Sequence, residues 1–239
     1  MTLDAEILMK LKKRKILVAD DERFSRSIVV RALTGAEVEQ AADGAQALHC
    51  LIREPDAYAL AICDFNMPVM DGLRFLKGVR SGMDGITPSL PVIMLTGNSD
   101  SGLVKAALML DVDAFVVKPV AVTPLHARIL HVMTQHQDLK SPLHYAQVNI
   151  EDISSQLLSV AAAMSHKPSA VKKDEPPMPG AVKQGFDVIA VGSILARDLC
   201  APAGQVLVVE GTALSERLIN RLKELHGMGV CAAEAWVME

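Results

Sequence analysis

Five residues at the ends of short apolar segments have types that together could handle a phosphoryl group. They are Asp20, Asp21, Asp64, Thr96 and Lys118. Three clustered carboxylates repel one another unless a divalent cation neutralises them, and ligands that are all oxygen favour Mg²⁺. One carboxylate could then attack phosphorus, while the ammonium and hydroxyl groups stabilise the charge that develops on the phosphoryl oxygens. Loops are exposed to solvent, which is enough to explain a polar residue at the end of any one strand. It explains poorly why four of five predicted strands end in this way.

The elements that must position these residues alternate between strands and helices. Nearly continuous apolar stretches predict strands covered on both faces, as in a parallel sheet. They are residues 16–19, 60–63, 92–95 and 115–117, with a weaker strand at 37–41. Helical periodicity predicts helices near residues 23–34, 44–53, 73–80, 101–110 and 123–136. The pattern is typical of an α/β domain with a doubly wound, five-stranded parallel sheet, whose carboxyl edge would collect the five residues.

Composition excludes several classes of protein. The chain has 239 residues, of which 50% are hydrophobic, and no apolar stretch approaches the ~18 residues of a membrane span. The first residues place apolar side chains before basic ones, the reverse of a secretory signal. We therefore expect a cytoplasmic protein without a membrane partner. A net charge of −4 and 3% aromatic residues also disfavour a nucleic-acid partner.

Changes in pattern along the chain predict five segments. Residues 1–13 form a leader helix, 14–137 form the α/β domain, and 138–165 form a helical extension. Residues 166–184 hold four prolines and almost no side chains to bury, which is typical of a flexible linker. Residues 185–239 predict a small α+β interaction module with strands at 188–191 and 206–209. A helix capped by Thr212 is expected to follow those strands.

The motifs around the strand ends resemble a known family. The segment LAICDFNMPVMDG, which begins at Leu60, closely resembles the phosphoacceptor segment of the receiver domains of bacterial two-component response regulators. ILVADDE at Ile16, MLTG at Met94 and DAFVVKP at Asp113 match the remaining receiver blocks in order and spacing. The resemblance covers about residues 14–136. It implies the flavodoxin-like fold of CheY-like receivers.

The resemblance also implies how phosphorylation would occur. Asp64 would accept a phosphoryl group from a sensor histidine kinase or a phosphotransfer protein. Mg²⁺ would be the cofactor. Asp21, Asp64 and the backbone carbonyl of Asn66 would coordinate it directly, and Asp20 would act mainly through water.

The same resemblance assigns the residues that bind the phosphate and respond to it. Lys118 and Thr96 would bind the phosphoryl oxygens, and Thr96 and Phe115 would be the switch residues. The peptide bond before Pro119 would be cis. Most receivers have tyrosine where this chain has Phe115, so an inward position of this ring would depend on packing alone.

The C-terminal residues leave the output of the protein open. Residues 185–239 contain four Lys and Arg residues against seven acidic residues, a charge of −3 that disfavours binding to a phosphate backbone. Residues 191–225 weakly resemble a small module that accompanies HD-type cyclic-dinucleotide phosphodiesterases, but no HD metal pair is present. We therefore expect a regulator that is not an enzyme and switches protein–protein interactions. Its partners would include a downstream protein, with a homodimer also open.

Two alternatives belong to other classes. The first is a transcriptional regulator with an unrecognised DNA-binding C-terminal domain, which salt-sensitive DNA binding would reveal. The second is a phosphohydrolase that forms an aspartyl phosphate. That class has a second acid two residues after the nucleophile, and this chain has Asn66 there.

Overall fold

The computed structural model describes residues 3, 5–11, 13–97, 101–134, 139–150, 176–201, 206–227 and 229–238. The chain separates into two compact units, of which the first comprises Met1–Asp100 and Met109–Val148 and the second Ser101–Leu108 and Asn149–Glu239. Within the described ranges, no helix has the length and apolar character needed to cross a membrane. Most of the predicted helical extension and the first part of the predicted linker, residues 151–175, lie outside the described residues.

The helices and strands alternate as far as residue 134. The described helices are α1 (Ala5–Leu11), α2 (Arg23–Ala32), α3 (Gly44–Arg53), α4 (Gly72–Arg80), α5 (Ser101–Met109), α6 (Val122–Thr134), α7 (Pro142–Ala146) and α8 (Glu216–Gly227). The strands of the first unit are β1 (Lys15–Ala19), β2 (Val38–Ala41), β3 (Tyr58–Asp64), β4 (Val92–Thr96) and β5 (Ala114–Val117). The strands and helices predicted between residues 16 and 136 all occur, with ends that differ by at most two residues, and the predicted leader helix occurs as α1.

These five strands form one parallel sheet in the order β2-β1-β3-β4-β5. The chain moves from β1 to β2 in one direction and then returns past β1 to β3. This reversal is the doubly wound arrangement of flavodoxin-like folds, and it creates a crevice between the carboxyl ends of β1 and β3. The predicted fold class is confirmed.

Side chains of the sheet alternate between two faces. On β1, Ile16 and Val18 belong to a hydrophobic core that also contains residues of α1, α2 and α6. Successive side chains of a strand point to opposite faces, so Leu17 and Ala19 lie on the other side of the sheet. All four side chains are almost completely buried. Burial on both faces explains why the strands are apolar without strict alternation.

Polar contacts hold helix α7 against the rest of the first unit. Tyr145 is fully buried, and its hydroxyl donates to Asp111 Oδ2 at 2.7 Å while accepting from the backbone N–H of Lys140 at 2.9 Å. Lys77 of α4 donates to the carbonyl oxygen of Val148 at 2.8 Å. The chain that follows α6 is therefore fastened to α4 and to the turn before β5.

The second unit contains short antiparallel strands and helix α8. Strands β6 (Val182–Gly185), β10 (Glu234–Met238) and β7 (Ile194–Leu195) form one sheet in that order, and β8 (Leu199–Cys200) pairs with β9 (Val206–Val208). Arg197 lies over the ring of Trp236, 5.9 Å from its centroid. Helix α8 buries Ile219, Leu222 and Leu225.

Three predictions for the second unit were wrong in detail. Residues 188–191 do not form a strand, because the backbone N–H groups of Val188 and Ile189 both bond to Gly185 and close a turn. The predicted linker, residues 166–184, overlaps β6, whose pairing with β10 is not visible in a local sequence pattern. Ser215, rather than Thr212, caps α8: its hydroxyl accepts the Leu218 N–H at 3.2 Å.

Candidate functional site

The register of β1 and β3 places two of the predicted acids side by side. Ala19 of β1 pairs with Cys63 of β3. An aspartate comes next in the chain after each of these paired residues, so Asp20 and Asp64 lie side by side at the carboxyl edge of the sheet. Asp20 is fully buried, and Asp64 is 7% exposed. This edge is the crevice that the strand order creates.

Lys118 forms ion pairs with both of these acids. It follows β5, and its Nζ lies 2.9 Å from Asp20 Oδ2 and 2.9 Å from Asp64 Oδ1. The backbone N–H of Lys118 donates to the carbonyl oxygen of Thr96 at 2.8 Å, which ties the end of β5 to the end of β4. The sheet thus brings an ammonium group between two carboxylates from separate strands.

The environment shifts the pKa values of Asp64 and Lys118. Burial raises the pKa of the Asp64 carboxyl, and the charge of Asp20 raises it further, while Lys118 opposes both effects. Burial alone would lower the pKa of Lys118, but its hydrogen bonds to Asp64 and Asp20 outweigh burial and leave the pKa raised. Lys118 therefore remains a cation at neutral pH.

The three predicted acidic ligands can hold a metal ion. One carboxylate oxygen from each of Asp20, Asp21 and Asp64 lies within 4.8 Å of the others. Asp21 is exposed, whereas its two neighbours are buried. A set of carboxylate oxygens without nitrogen or sulfur ligands suits a hard divalent cation such as Mg²⁺. The residues present therefore fit the predicted cofactor.

The loop after Asp64 contains Asn66, which is exposed and lies two residues beyond the acid. Val69 in the same loop has a φ of 65°, a conformation that β-branched residues rarely adopt. The backbone N–H of Met70 donates to the carbonyl oxygen of Pro68 at 2.6 Å, which closes a three-residue turn around Val69. Backbone strain of this kind often occurs beside functional sites.

The residue before Asp64 is a buried cysteine. Burial raises the pKa of the Cys63 thiol well above its ordinary value, and the charge of Asp64 adds to that shift. The thiolate is the nucleophilic form of cysteine. Cys63 therefore stays protonated and does not compete with the carboxylate beside it.

The predicted switch residues lie on β4, which pairs with β3, and on β5, which pairs with β4. Thr96 ends β4 and is buried, and its hydroxyl donates to the carbonyl oxygen of Gly97 at 3.2 Å. Phe115 of β5 is 1% exposed, and its ring stacks on that of Phe65 with centroids 6.2 Å apart. The peptide bond between Lys118 and Pro119 is cis.

Sequence reasoning missed two residues that hold Asp20. Ser25 Oγ donates to Asp20 Oδ2 at 2.6 Å, and Arg26 donates to the backbone carbonyl of Asp20. Arg26 also donates through Nε to Gln40 Oε1 on β2 at 3.2 Å. In the sequence, polar residues in the first turns of the helix that follows the acidic end of β1 could have indicated these two contacts.

Comparisons with known proteins match the part of the chain that contains this site. Residues 16–130 match the family model described as the response regulator receiver domain. The chain is 35% identical over 121 residues to a probable chemotaxis protein CheY of Rhizobium etli. This match covers 49% of this chain and 91% of that protein.

Longer relatives match over the same region. The chain is 38% identical over 125 residues to a probable transcriptional regulator ycf27 of Porphyridium aerugineum. This match covers 52% of this chain and 49% of that protein. This chain therefore spans about half the length of that relative. Among solved structures, a response regulator receiver domain protein from Clostridium thermocellum is 27% identical and covers 50% of this chain and 94% of its own, with a TM-score of 0.45.

Proposed function

This chain belongs to the response regulator receiver family of two-component systems, and on that premise we propose that Asp64 accepts a phosphoryl group from a sensor histidine kinase or a phosphotransfer protein. The observation that carries the proposal is the position of Lys118 Nζ, 2.9 Å from carboxylate oxygens of both Asp20 and Asp64. The ammonium group lies where charge would develop on a phosphoryl group bound to Asp64.

The proposed transfer is a displacement at phosphorus. A carboxylate oxygen of Asp64 forms a bond to phosphorus, and the bond between phosphorus and the imidazole nitrogen of the donor histidine breaks. The electron pair of that bond stays on the imidazole nitrogen, which takes up a proton. Lys118 moves from pairing with Asp64 to pairing with a phosphoryl oxygen, so the ammonium keeps a partner throughout.

Mg²⁺ is the proposed cofactor. Asp20, Asp21, Asp64 and the backbone carbonyl of Asn66 would hold it. When bound, Mg²⁺ supplies positive charge that offsets the repulsion between the carboxylates and the incoming phosphoryl group. The buried Asp20 remains paired with Lys118, and the exposed Asp21 is open to solvent.

Phosphorylation is proposed to act through Thr96 and Phe115. A phosphoryl oxygen on Asp64 offers the Thr96 hydroxyl a charged acceptor in place of the Gly97 carbonyl. Movement of Thr96 would change the space beside Phe115, whose buried ring is held by packing against Phe65. The phosphate would then shift the population between two discrete arrangements of this region.

The role of the chain is proposed to be regulatory rather than enzymatic. The C-terminal residues, 185–239, would act as an interaction module toward a downstream protein or a second copy of the chain. Their resemblance to the module that accompanies HD-type phosphodiesterases is consistent with such an accessory role. The segment boundaries at residues 13, 137 and 165 belong to the same proposal, whereas the linker ends before β6, which begins at Val182.

Intact-mass spectrometry after incubation with acetyl phosphate and Mg²⁺ tests the phosphoacceptor. We expect one added phosphoryl group that hydroxylamine removes, and none in Asp64→Asn. Asp56→Asn is the matched control, because Asp56 is an exposed aspartate near the opposite end of β3, and we expect it to be labelled like the wild type. Equal labelling of Asp64→Asn would refute the assignment, and unchanged labelling in a chelator would refute the role of Mg²⁺.

The Thr96→Ala variant tests the switch. Hydrogen exchange with and without beryllofluoride, a phosphoryl mimic, should show a change of protection at β5 and α6 in the wild type. Thr96→Ala should respond much less. An equal response in both proteins would contradict the proposed path.

A further inference from the structure

The carboxylate of Asp20 is held from three directions. Its Oδ2 accepts hydrogen bonds from Ser25 Oγ at 2.6 Å and from Lys118 Nζ at 2.9 Å, and its Oδ1 accepts the backbone N–H of Glu22 at 2.9 Å. Arg26 binds the backbone carbonyl of the same residue. The side chain of Asp20 has no exposed surface. Its orientation is thus defined by protein groups alone.

The number of acceptor positions on this carboxylate is limited. Each carboxylate oxygen presents two lone pairs. The Ser25 hydroxyl and the Lys118 ammonium occupy both lone pairs of Oδ2, and the Glu22 N–H occupies one of the two on Oδ1. Among the residues that the structure describes, one acceptor position of Asp20 therefore remains for a cation or for water bound to it.

We propose that Ser25 is a positioning residue for the cation site. By donating to Asp20 Oδ2, its hydroxyl keeps Asp20 in a supporting role and leaves direct coordination to Asp21, Asp64 and the backbone carbonyl of Asn66. This inference rests on the proposed Mg²⁺ site and adds to it a residue that contacts neither the cation nor the phosphoryl group. Groups that hold a metal-binding side chain in this way commonly change metal affinity when they are removed.

The neighbouring Ser27 shows that the contact of Ser25 is specific to its place on α2. Ser27 lies on the same helix two residues later, and its hydroxyl donates to the carbonyl oxygen of Phe24 at 2.8 Å. That bond is local to the helix and does not reach the site. Ser25 is half-buried, and its bond reaches back to Asp20, the residue that follows β1. Ser27 is therefore a matched control.

Calorimetric titration of the full chain with Mg²⁺ tests the inference. We expect the Ser25→Ala variant to bind Mg²⁺ about tenfold more weakly than the wild type. Ser25→Thr keeps a hydroxyl and should restore affinity to within about twofold of the wild type, where Ser27→Ala should also lie. Unchanged or tighter binding by Ser25→Ala would overturn the positioning role, as would a loss that Ser25→Thr does not restore.

Labelling with acetyl phosphate provides a second readout. If Ser25 acts on cation binding alone, Ser25→Ala should need more Mg²⁺ for half-maximal labelling but reach the wild-type rate at saturating Mg²⁺. A lower rate at saturation would overturn the inference. If the wild type itself binds no Mg²⁺, the proposed function fails. If only the difference between wild type and Ser25→Ala is absent, the positioning role alone fails.

Discussion

The main chain at Gly72 passes so close to the carbonyl oxygen of Asp64 that no side chain fits between them. A Cβ atom on Gly72 would lie 2.1 Å from that oxygen and 2.7 Å from Met94 Cε. The Gly72 N–H also donates to the carbonyl oxygen of Phe65 at 2.9 Å. The first residue of α4 is therefore packed directly against the backbone of the proposed phosphoacceptor.

We predict that Gly72→Ala destabilises the protein by about 3 kcal/mol, because the backbone atom it meets cannot move aside as a flexible side chain can. The same substitution should slow labelling of Asp64. Urea denaturation and acetyl phosphate labelling measure the two effects. Gly78→Ala, on the same helix, brings its Cβ 3.0 Å from the movable end of Leu48 and should change stability by less than about 1 kcal/mol. Equal stability of the two variants would contradict the argument.

Glu39 is the centre of a second polar cluster, in the same unit but outside the site. Its carboxylate accepts hydrogen bonds from the Tyr58 hydroxyl at 2.7 Å, from Arg53 Nη2 at 2.7 Å and from Lys15 Nζ at 3.3 Å. The bond from Tyr58 is the largest of the effects that lower the pKa of Glu39 to about 2. Residues from β1, β2, β3 and α3 thus meet at one carboxylate.

This shift predicts a pH dependence of stability. The pKa of Glu39 is lower in the folded protein than the ~4.3 of an unfolded chain, so its ionised form stabilises the fold above that value. The contribution is lost as the pH falls from about 5 toward about 2. The difference in urea midpoint between wild type and Glu39→Gln should therefore be largest near neutral pH and shrink on acidification. Glu37→Gln, at a residue with 67% of its side chain exposed, should follow the wild type. A constant difference for Glu39→Gln across this range would contradict the prediction.

At the scale of elements, α1 is part of the core of the first unit. Leu3, Ile7 and Leu11 are each no more than 3% exposed and belong to the same hydrophobic cluster as Leu125 and Ile129 of α6. The backbone N–H of Leu3 also donates to the carbonyl oxygen of Thr34 at 2.9 Å, just after α2. The family match begins at residue 16, so this helix is an addition that the receiver motifs do not foretell.

We predict that Ile7→Ala lowers the free energy of unfolding by about 2–4 kcal/mol, because it removes a buried side chain and leaves a cavity. Met9→Ala is the matched control on the same helix, since Met9 is 79% exposed, and should change stability by less than about 0.5 kcal/mol. Thermal or urea unfolding of the full chain gives both values. A small effect of Ile7→Ala would mean that α1 does not stabilise the core.

Elements could be predicted from the sequence where one local pattern determines them. Apolar strands and the acids that follow them were predicted because both faces of a parallel sheet are buried and its carboxyl ends meet at one edge. The pairing of β6 with β10, the contact of Tyr145 with Asp111 and the bond from Ser25 to Asp20 were not predicted. Tertiary contacts create all three, and no local periodicity encodes them. Because a local pattern does not encode tertiary contacts, it also predicted a strand at residues 188–191 that does not form. Val188 and Val191 there are 72% and 64% exposed.

At the scale of the whole molecule, the two units differ in what they offer to a partner. The first unit presents the acidic crevice. In residues 185–239 of the second, acidic residues outnumber Lys and Arg seven to four. We predict no sequence-specific DNA binding by the full chain, because this charge has the wrong sign for a phosphate backbone. A selection experiment at physiological salt that recovered a defined motif would contradict this and favour the transcriptional alternative.

The aromatic residues give the two units separate optical signals. The chain has two tyrosines and one tryptophan. Tyr58 and Tyr145 are buried in the first unit, and each donates its hydroxyl to a carboxylate, whereas Trp236 lies in the second unit beneath Arg197. Burial raises the pKa of both phenols, and the neighbouring carboxylates raise it further. Absorbance of tyrosinate in alkali therefore reports when the first unit opens, and tryptophan emission reports on the second, without any added fluorophore.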